Sequence, residues 1–370
     1  MATARPIDVG GAKLRRYIKV LAVVFGVMAL SIAVVACGDD DSSSSASTDA
    51  ASSEAAAVTA PAEQPNVAVA APAEPGSGKG LKIGYISNLE SVPIVHTISE
   101  SIREQAERSG ADFVFCDGAG DTAKALDCAK NFKTQNVQGI LNFQHDSAAA
   151  PSICAAGPDV PTIAIDIPQP PCQIAFMGVD NAYGGFVAGK MMGDYYKANF
   201  DCKYDAWVSL EQPVIGKPND DRMGGYQDGF ASVCGPVTNV TKEGFDASAE
   251  GGRKVMTDVL TKLPGMSNII VVSIDDEGIQ GAFAAAKAVG REKDLWAGSL
   301  GVADDVTKCA IKNNPNWLAA TAIQPEKYGW VGVPNIIKAI KGEEVNPELY
   351  VPLQAVNSET ISELYPDVTC

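Results

Sequence analysis

From Leu81 onward the chain repeats one pattern: a short run of β-branched and apolar residues, a turn, then a stretch whose apolar positions recur every three or four residues. The short runs predict strands at "LKIGYIS", "DFVF", "GILNF", "TIAID", "AFMGV", "AWVSL", "VTNV", "NIIVVSID", "LWAGSL", "LAATAIQ" and "LYVPLQAV". Between them lie helical patterns. "TISESIREQAERSG" carries Ile98, Ile102 and Ala106 on one face and closes on Gly110. Others centre on Leu126 and Ile153, or run over Phe186–Tyr196, from a cap near Asn219, through Val259, over Ile279–Val289, near Cys309 and up to Ile340. Strands apolar on both faces, alternating with helices, predict parallel sheets covered on both sides. For 370 residues, two sheets of about six strands fit better than one large sheet.

One segment tests this reading. "VDNAYGGFVAG" (Val179–Gly189) places an Asp-Asn pair before a helical run rich in glycine. A dinucleotide cradle needs G-x-G-x-x-G, whereas Gly184, Gly185 and Gly189 are spaced G-G-x-x-x-G. A helix capped by Asp180 or Asn181, with small residues permitting a close approach to a sheet, fits better.

The N-terminal region follows a different pattern. Arg5, Lys13, Arg15, Arg16 and Lys19 precede the apolar stretch Val20–Val35, as in an export signal spanning residues 1–36. "VVAC" (Val34–Cys37) resembles the lipobox of bacterial lipoproteins, which implies cleavage before Cys37, acylation of its thiol and an extracytoplasmic, membrane-anchored chain; an uncleaved anchor helix is the alternative. Residues 37–80, mostly Asp, Ser, Ala, Pro and Glu, carry too little apolar surface to offset ordering and predict a disordered tether. A net charge of −16 without a basic stripe excludes nucleic acid as a partner. Beyond Cys37 stand Cys116, Cys128, Cys154, Cys172, Cys202, Cys234, Cys309 and Cys370. An even number in an exported chain predicts disulfides, with on the order of a hundred possible connectivities. No C-x-x-C occurs and the two histidines, His96 and His145, stand apart from the cysteines, so a zinc site is not expected. No G-x-S-x-G elbow and no nucleophile–histidine spacing supports an enzyme.

Six segments, in order, resemble the type I solute-binding proteins of ABC importers in their ribose- and galactose-binding branch. They are "YISNLESVP" (Tyr85–Pro93), "PTIAID" (Pro161–Asp166), "GVDNAYGGFVAG" (Gly178–Gly189), "RMGGYQDGF" (Arg222–Phe230), "GFDASAEGGRKVMTDVL" (Gly244–Leu260) and "LAATAIQPEKYG" (Leu318–Gly329). The resemblance implies an α/β fold of two doubly wound parallel-sheet lobes joined by a three-strand hinge. "VDN" becomes the first crossover, with others near Gln324 and Tyr350. One lobe then comprises residues 81–179 plus 325–350, the other 180–324 plus 351–370. Pairing cysteines with their sequence neighbours keeps every bridge inside one lobe.

The family's ligand sits between the lobes, beyond the carboxyl ends of the strands. The resemblance places Ser87 as a hydroxyl donor, Asp166 and Asp275 as carboxylate acceptors, Arg222 as a forked donor, Phe245 as a stacking plate and Gln324 as an amide contact. Phe143 and Gln144, at a strand end, join them as candidate ligand-binding residues. Asp276 reads as a helix-capping residue, and His96 and His145 as surface or rim residues. The chain departs from the ribose pattern at Ile167, Leu300, Ile94 and Val95, where an arginine, an acid and paired aromatics are expected. A partly apolar, sugar-like solute is therefore anticipated rather than ribose. The implied role is a monomeric, lipid-anchored protein without metal, cofactor or catalytic residues that hands its solute to an ABC permease. A sensory receptor lipoprotein presenting a bound molecule to a membrane sensor is the other reading.

Overall fold

In the computed structural model, which describes residues 63–370, the predicted alternation forms two separate six-stranded sheets. The first part of the chain supplies β1 (Lys82–Ser87), α1 (Pro93–Ser109), β2 (Asp112–Asp117), α2 (Thr122–Thr134), β3 (Gly139–Asn142), α3 (Ala150–Ala156), β4 (Thr162–Ile165) and β5 (Gln173–Gly178). Next come α4 (Asn181–Phe200), β6 (Ala206–Glu211), α5 (Lys217–Cys234), β7 (Val240–Gly244), α6 (Ala249–Lys262), β8 (Ile269–Ser273) and α7 (Asp276–Ala288). The remainder forms β9 (Leu295–Gly301), α8 (Asp305–Asn313), β10 (Trp317–Ala322), α9 (Tyr328–Ile340), β11 (Glu348–Tyr350), β12 (Gln354–Val356) and α10 (Ile361–Leu364).

The first sheet runs β11-β5-β4-β3-β1-β2 and is parallel throughout. The second runs β12-β10-β9-β8-β6-β7, with only β12 antiparallel to its neighbour. The chain passes between the sheets after β5, after β10 and between β11 and β12. "LYVPLQAV" therefore serves both lobes, divided at Val351-Pro352-Leu353. Every residue of β6, β8 and β10 is buried, as expected for strands covered by helices on both faces. On α1 the predicted face is the buried one, and Gly110 ends the helix in the left-handed region at φ +74°.

Two local expectations are corrected. The strand expected at "VTNV" begins only at Val240, because Asn239 is left-handed (φ +53°) and breaks the extended run. Helix α5 starts at Lys217 rather than from a cap at Asn219. That side chain instead accepts from Gln212 N at 2.8 Å, bracing the preceding loop.

The glycine-rich segment is a helix–helix joint. Asp180 caps α4 by accepting from Tyr183 N at 3.0 Å. Gly184 gives the expected close approach to a sheet, its carbonyl accepting from Thr321 Oγ1 of β10 at 2.7 Å and a Cβ there lying 2.5 Å from Leu300 of β9, whereas Gly185 and Gly189 face α5. A Cβ at Gly185 would lie 2.1 Å from Arg222 O, and one at Gly229 would lie 2.0 Å from Phe186 O. Any larger residue would separate the two helices.

Residues 63–80, expected to belong to a disordered tether, instead pack on the first lobe. Val67 forms a parallel bridge to Tyr350, extending the sheet past its β11 edge, and Ala68 N donates to Tyr350 O at 2.8 Å. Ala73 is buried; its N–H donates to Gln105 Oε1 and its carbonyl accepts from Arg108 Nε. Gln64 reaches the third crossover, donating to Val351 O at 2.8 Å and accepting from Leu353 N at 3.0 Å. The export signal, Cys37 and the rest of the tether lie outside the described residues. Among the described residues, no helix is long and apolar enough to cross a membrane.

Four disulfides join Cys116–Cys128, Cys154–Cys172, Cys202–Cys234 and Cys309–Cys370. These are the sequence-neighbour pairs, and each lies within one lobe.

Candidate functional site

The carboxyl ends of the strands in the two lobes face each other across a cavity of about 340 Å³. Doubly wound sheets place their connecting loops there, so the side chains at strand ends and helix starts converge on it. The first lobe contributes Asp166 and Ile94; the second contributes Asn181, Arg222, Asp275, Asp276 and Leu300.

Asp166 follows β4 with φ +52°, a left-handed turn that aims its carboxylate into the cleft. Tyr328, at the start of α9, donates its hydroxyl to the Asp166 carboxylate, 3.1 Å from each oxygen. Gly178 leaves room for that carboxylate: a Cβ there would lie 2.5 Å from Asp166 Oδ1. Burial pushes the Asp166 carboxyl up to about 6, against the opposing pull of Tyr328, the Val179 backbone and Arg222.

Arg222 projects from the first turns of α5. Its Nε and Nη2 donate to Asn181 Oδ1 at 3.0 and 2.6 Å, and Nη1 donates to the Ile274 carbonyl. Burial lowers the affinity of the guanidinium for its proton, while the nearby tyrosine and aspartates oppose that shift. The side chain is thus fixed in one pose by groups of its own lobe.

The acidic start of α7 divides two tasks between neighbours. Asp275 is the cap, accepting from Gly278 N at 2.9 Å, and it also lines the cavity. Asp276, expected to serve as a cap, does not: it is 4% exposed and reaches toward β9. Its oxygens accept from Ser299 Oγ at 2.6 Å and Val302 N at 2.5 Å, and Trp317 Nε1 donates in turn to Ser299 Oγ. Gly301 makes room for it, since a Cβ there would lie 2.3 Å from Asp276 Oδ2. Burial pushes the Asp276 carboxyl up to about 7.

Of the eight candidate ligand residues, the cavity therefore brings together Asp166, Arg222 and Asp275. The other five do not line it. Ser87 is buried and its hydroxyl donates a hydrogen bond to Glu90, which also accepts from Ser99. Phe143 packs in the core of the first lobe. Gln144 is taken up by Gln169 and by Asp146 O. Phe245 lies behind the first turn of α7, where a Cβ on Gly278 would meet its ring at 2.8 Å. Gln324 donates to Pro352 O at 3.1 Å and accepts from Lys327, so it braces two crossovers. His96 and His145 are exposed and outside the lining, as anticipated. Ile94 and Leu300 line the cavity, whereas Val95 turns into the core. Asn181, Asp276, Glu277, Asp304 and Thr307 also line it and were not foreseen as ligand residues. The sequence signal for Asn181 was its place directly after the Asp180 cap, which aims the first helical residue at the crossover.

Residues 83–344 match the family described as periplasmic binding protein domain. The chain is 25% identical over 268 residues to the ribose import binding protein of Escherichia coli (strain K12), covering 71% of this chain and 86% of that one. Among solved structures, an ABC transporter solute-binding protein from Mycobacterium smegmatis with bound glycerol superposes with a TM-score of 0.65 at 20% identity, covering 78% of this chain and 97% of that one. One from Actinobacillus succinogenes 130z with bound D-allose gives 0.64 at 18% identity, covering 76% and 99%. The cavity, the two doubly wound sheets and these matches agree, and the chain is a binding protein rather than an enzyme. It belongs to the periplasmic binding protein family, in the type I, ribose- and galactose-like branch.

Proposed function

We propose that the chain captures a small sugar-like solute between its lobes and delivers it to an ABC importer. The observation that carries this is the placement of Asp166 from one lobe opposite Arg222 and Asp275 from the other, around one cavity. A ligand touching both sets favours the closed arrangement of the lobes, which is the form a permease can distinguish. Asp166 and Asp275 accept hydrogen bonds from hydroxyl groups. Arg222 has committed three of its five N–H groups and offers the others. Ile94, Val179, Leu300 and Ile323 provide an apolar wall for the carbon skeleton. The glycerol and D-allose bound by the two structural neighbours support this ligand class.

A thermal-shift screen of the full chain against monosaccharides, polyols and amino acids tests the reading. Stabilisation by a sugar or polyol is expected; stabilisation by amino acids alone would overturn it.

Attachment to the membrane belongs to the same proposal, with Cys37 as the acylated residue. Mass spectrometry of the membrane fraction should find a diacylglyceryl-modified N-terminal Cys37. A Cys37→Ser chain that is still processed and still membrane-bound would contradict the anchor.

A further inference from the structure

The cavity is rich in carboxylates and poor in cations. Asp166, Asp275, Asp276, Glu277 and Asp304 line it, and Arg222 is the one basic side chain among the described lining residues. No ion pair among the described residues involves any of these six. Arg222 spends its fork on a neutral amide and a carbonyl instead.

The carboxylates do have hydrogen-bond donors, but neutral ones: a tyrosine, a serine and backbone N–H groups. Hydrogen bonds of this kind orient a carboxylate without cancelling its charge. A cleft in which one sign of charge predominates, walled by aliphatic groups, focuses its field and concentrates solutes of the opposite sign. Burial raises the proton affinities of Asp166 and Asp276, and Asp276, at about 7, is partly protonated at neutral pH and adds little to this field.

The apolar side of the cleft points the same way. No aromatic ring lines it among the described residues, Phe245 being held behind α7, so the wall is aliphatic. A neutral pyranose gains most from a flat aromatic face and a balanced set of donors and acceptors. This cavity offers an excess of acceptors and an aliphatic wall. A protonated amine matches that excess, because it is a compact cation with three donors and no acceptor.

We infer that the solute carries a protonated amine on a small hydroxylated skeleton, an amino sugar or amino polyol, with the amine facing the Asp275 and Glu277 carboxylates and hydroxyl groups facing Arg222 and Asn181. The inference rests on the sugar-like reading of the cleft given above and narrows it.

Calorimetric titration of the full chain at neutral pH with D-glucosamine, D-galactosamine, D-glucose and D-galactose, beside a panel of neutral polyols, separates the two. At least one amino sugar should bind about tenfold tighter than its neutral counterpart, and raised salt should narrow that ratio. Asp304→Asn and Glu277→Gln should reduce the preference for the amine; Asn still caps α8, so folding is kept and the ratio remains readable. Binding of a neutral sugar or polyol as tightly as, or tighter than, any amino sugar would overturn the amine and leave the sugar-like reading standing. Binding of nothing in the panel would overturn both.

Discussion

The hydroxyl of Tyr328 lies 3.1 Å from both carboxylate oxygens of Asp166, tying the start of α9 to the end of β4 at the wall of the cleft. The bond favours the ionised carboxylate, so it opposes the burial that raises Asp166 to about 6. Tyr328→Phe removes the donor and should raise that value further. Affinity for the ligand near neutral pH should then fall, because a larger share of Asp166 is protonated there. The pH below which binding weakens should move upward, and a titration series across pH reads that shift. An unchanged pH profile would mean that Asp166 does not meet the ligand as a carboxylate.

Asp276 governs a second pH dependence. Its proton is held in the folded state up to about pH 7, against an ordinary value of 3.8. Between these values the unfolded chain has lost the proton and the folded chain keeps it. This group's contribution to stability is therefore greatest at low pH and falls as pH rises through that window. In Asp276→Asn the amide can accept from Val302 N and donate to Ser299 Oγ, so the local network survives. Denaturant melts from pH 4 to pH 8 should show a smaller loss of stability with rising pH in the variant than in the natural chain. An identical slope would contradict the assignment.

Gln64 tests the order of the segment before β1. Its side chain spans Pro352, bonding the peptide groups on either side in the third crossover. Gln64→Ala should cost about 1–2 kcal/mol, from two hydrogen bonds. The amide of Leu353 should exchange faster with solvent, while amides within β8 stay protected. Unchanged exchange at Leu353 would show that residues 63–72 are not held there in solution.

The fold was legible because its signals are local and repeated. Strand runs such as "NIIVVSID" and the α1 face at Ile98, Ile102 and Ala106 carry their own periodicity, and the crossovers fell where that periodicity changed lobes. The ordering of residues 63–80 was not legible. A stretch of Ala, Pro and Val reads as a tether until Val67 finds Tyr350 and Gln64 finds Val351, partners nearly the whole chain away. The site was legible in part for a similar reason. Asp166, Arg222 and Asp275 are placed by strand ends and a helix start. Whether Ser87 reaches a ligand depends on Glu90 and Ser99, and whether Gln144 does depends on Gln169; spacing carries no such competition. Asp275 and Asp276 are adjacent acids at one helix start, and only the packing of β9 tells which one caps.

Calorimetric titration of Asp166→Ala and Arg222→Ala with the ligand returned by the screen tests the central claim, that one solute is gripped from both lobes. Each substitution leaves a desolvated polar group of the solute unmatched, at a cost of about 1–3 kcal/mol. Affinity should fall about tenfold to hundredfold in each variant. Undiminished affinity in both would place the binding site elsewhere than between Asp166 and Arg222.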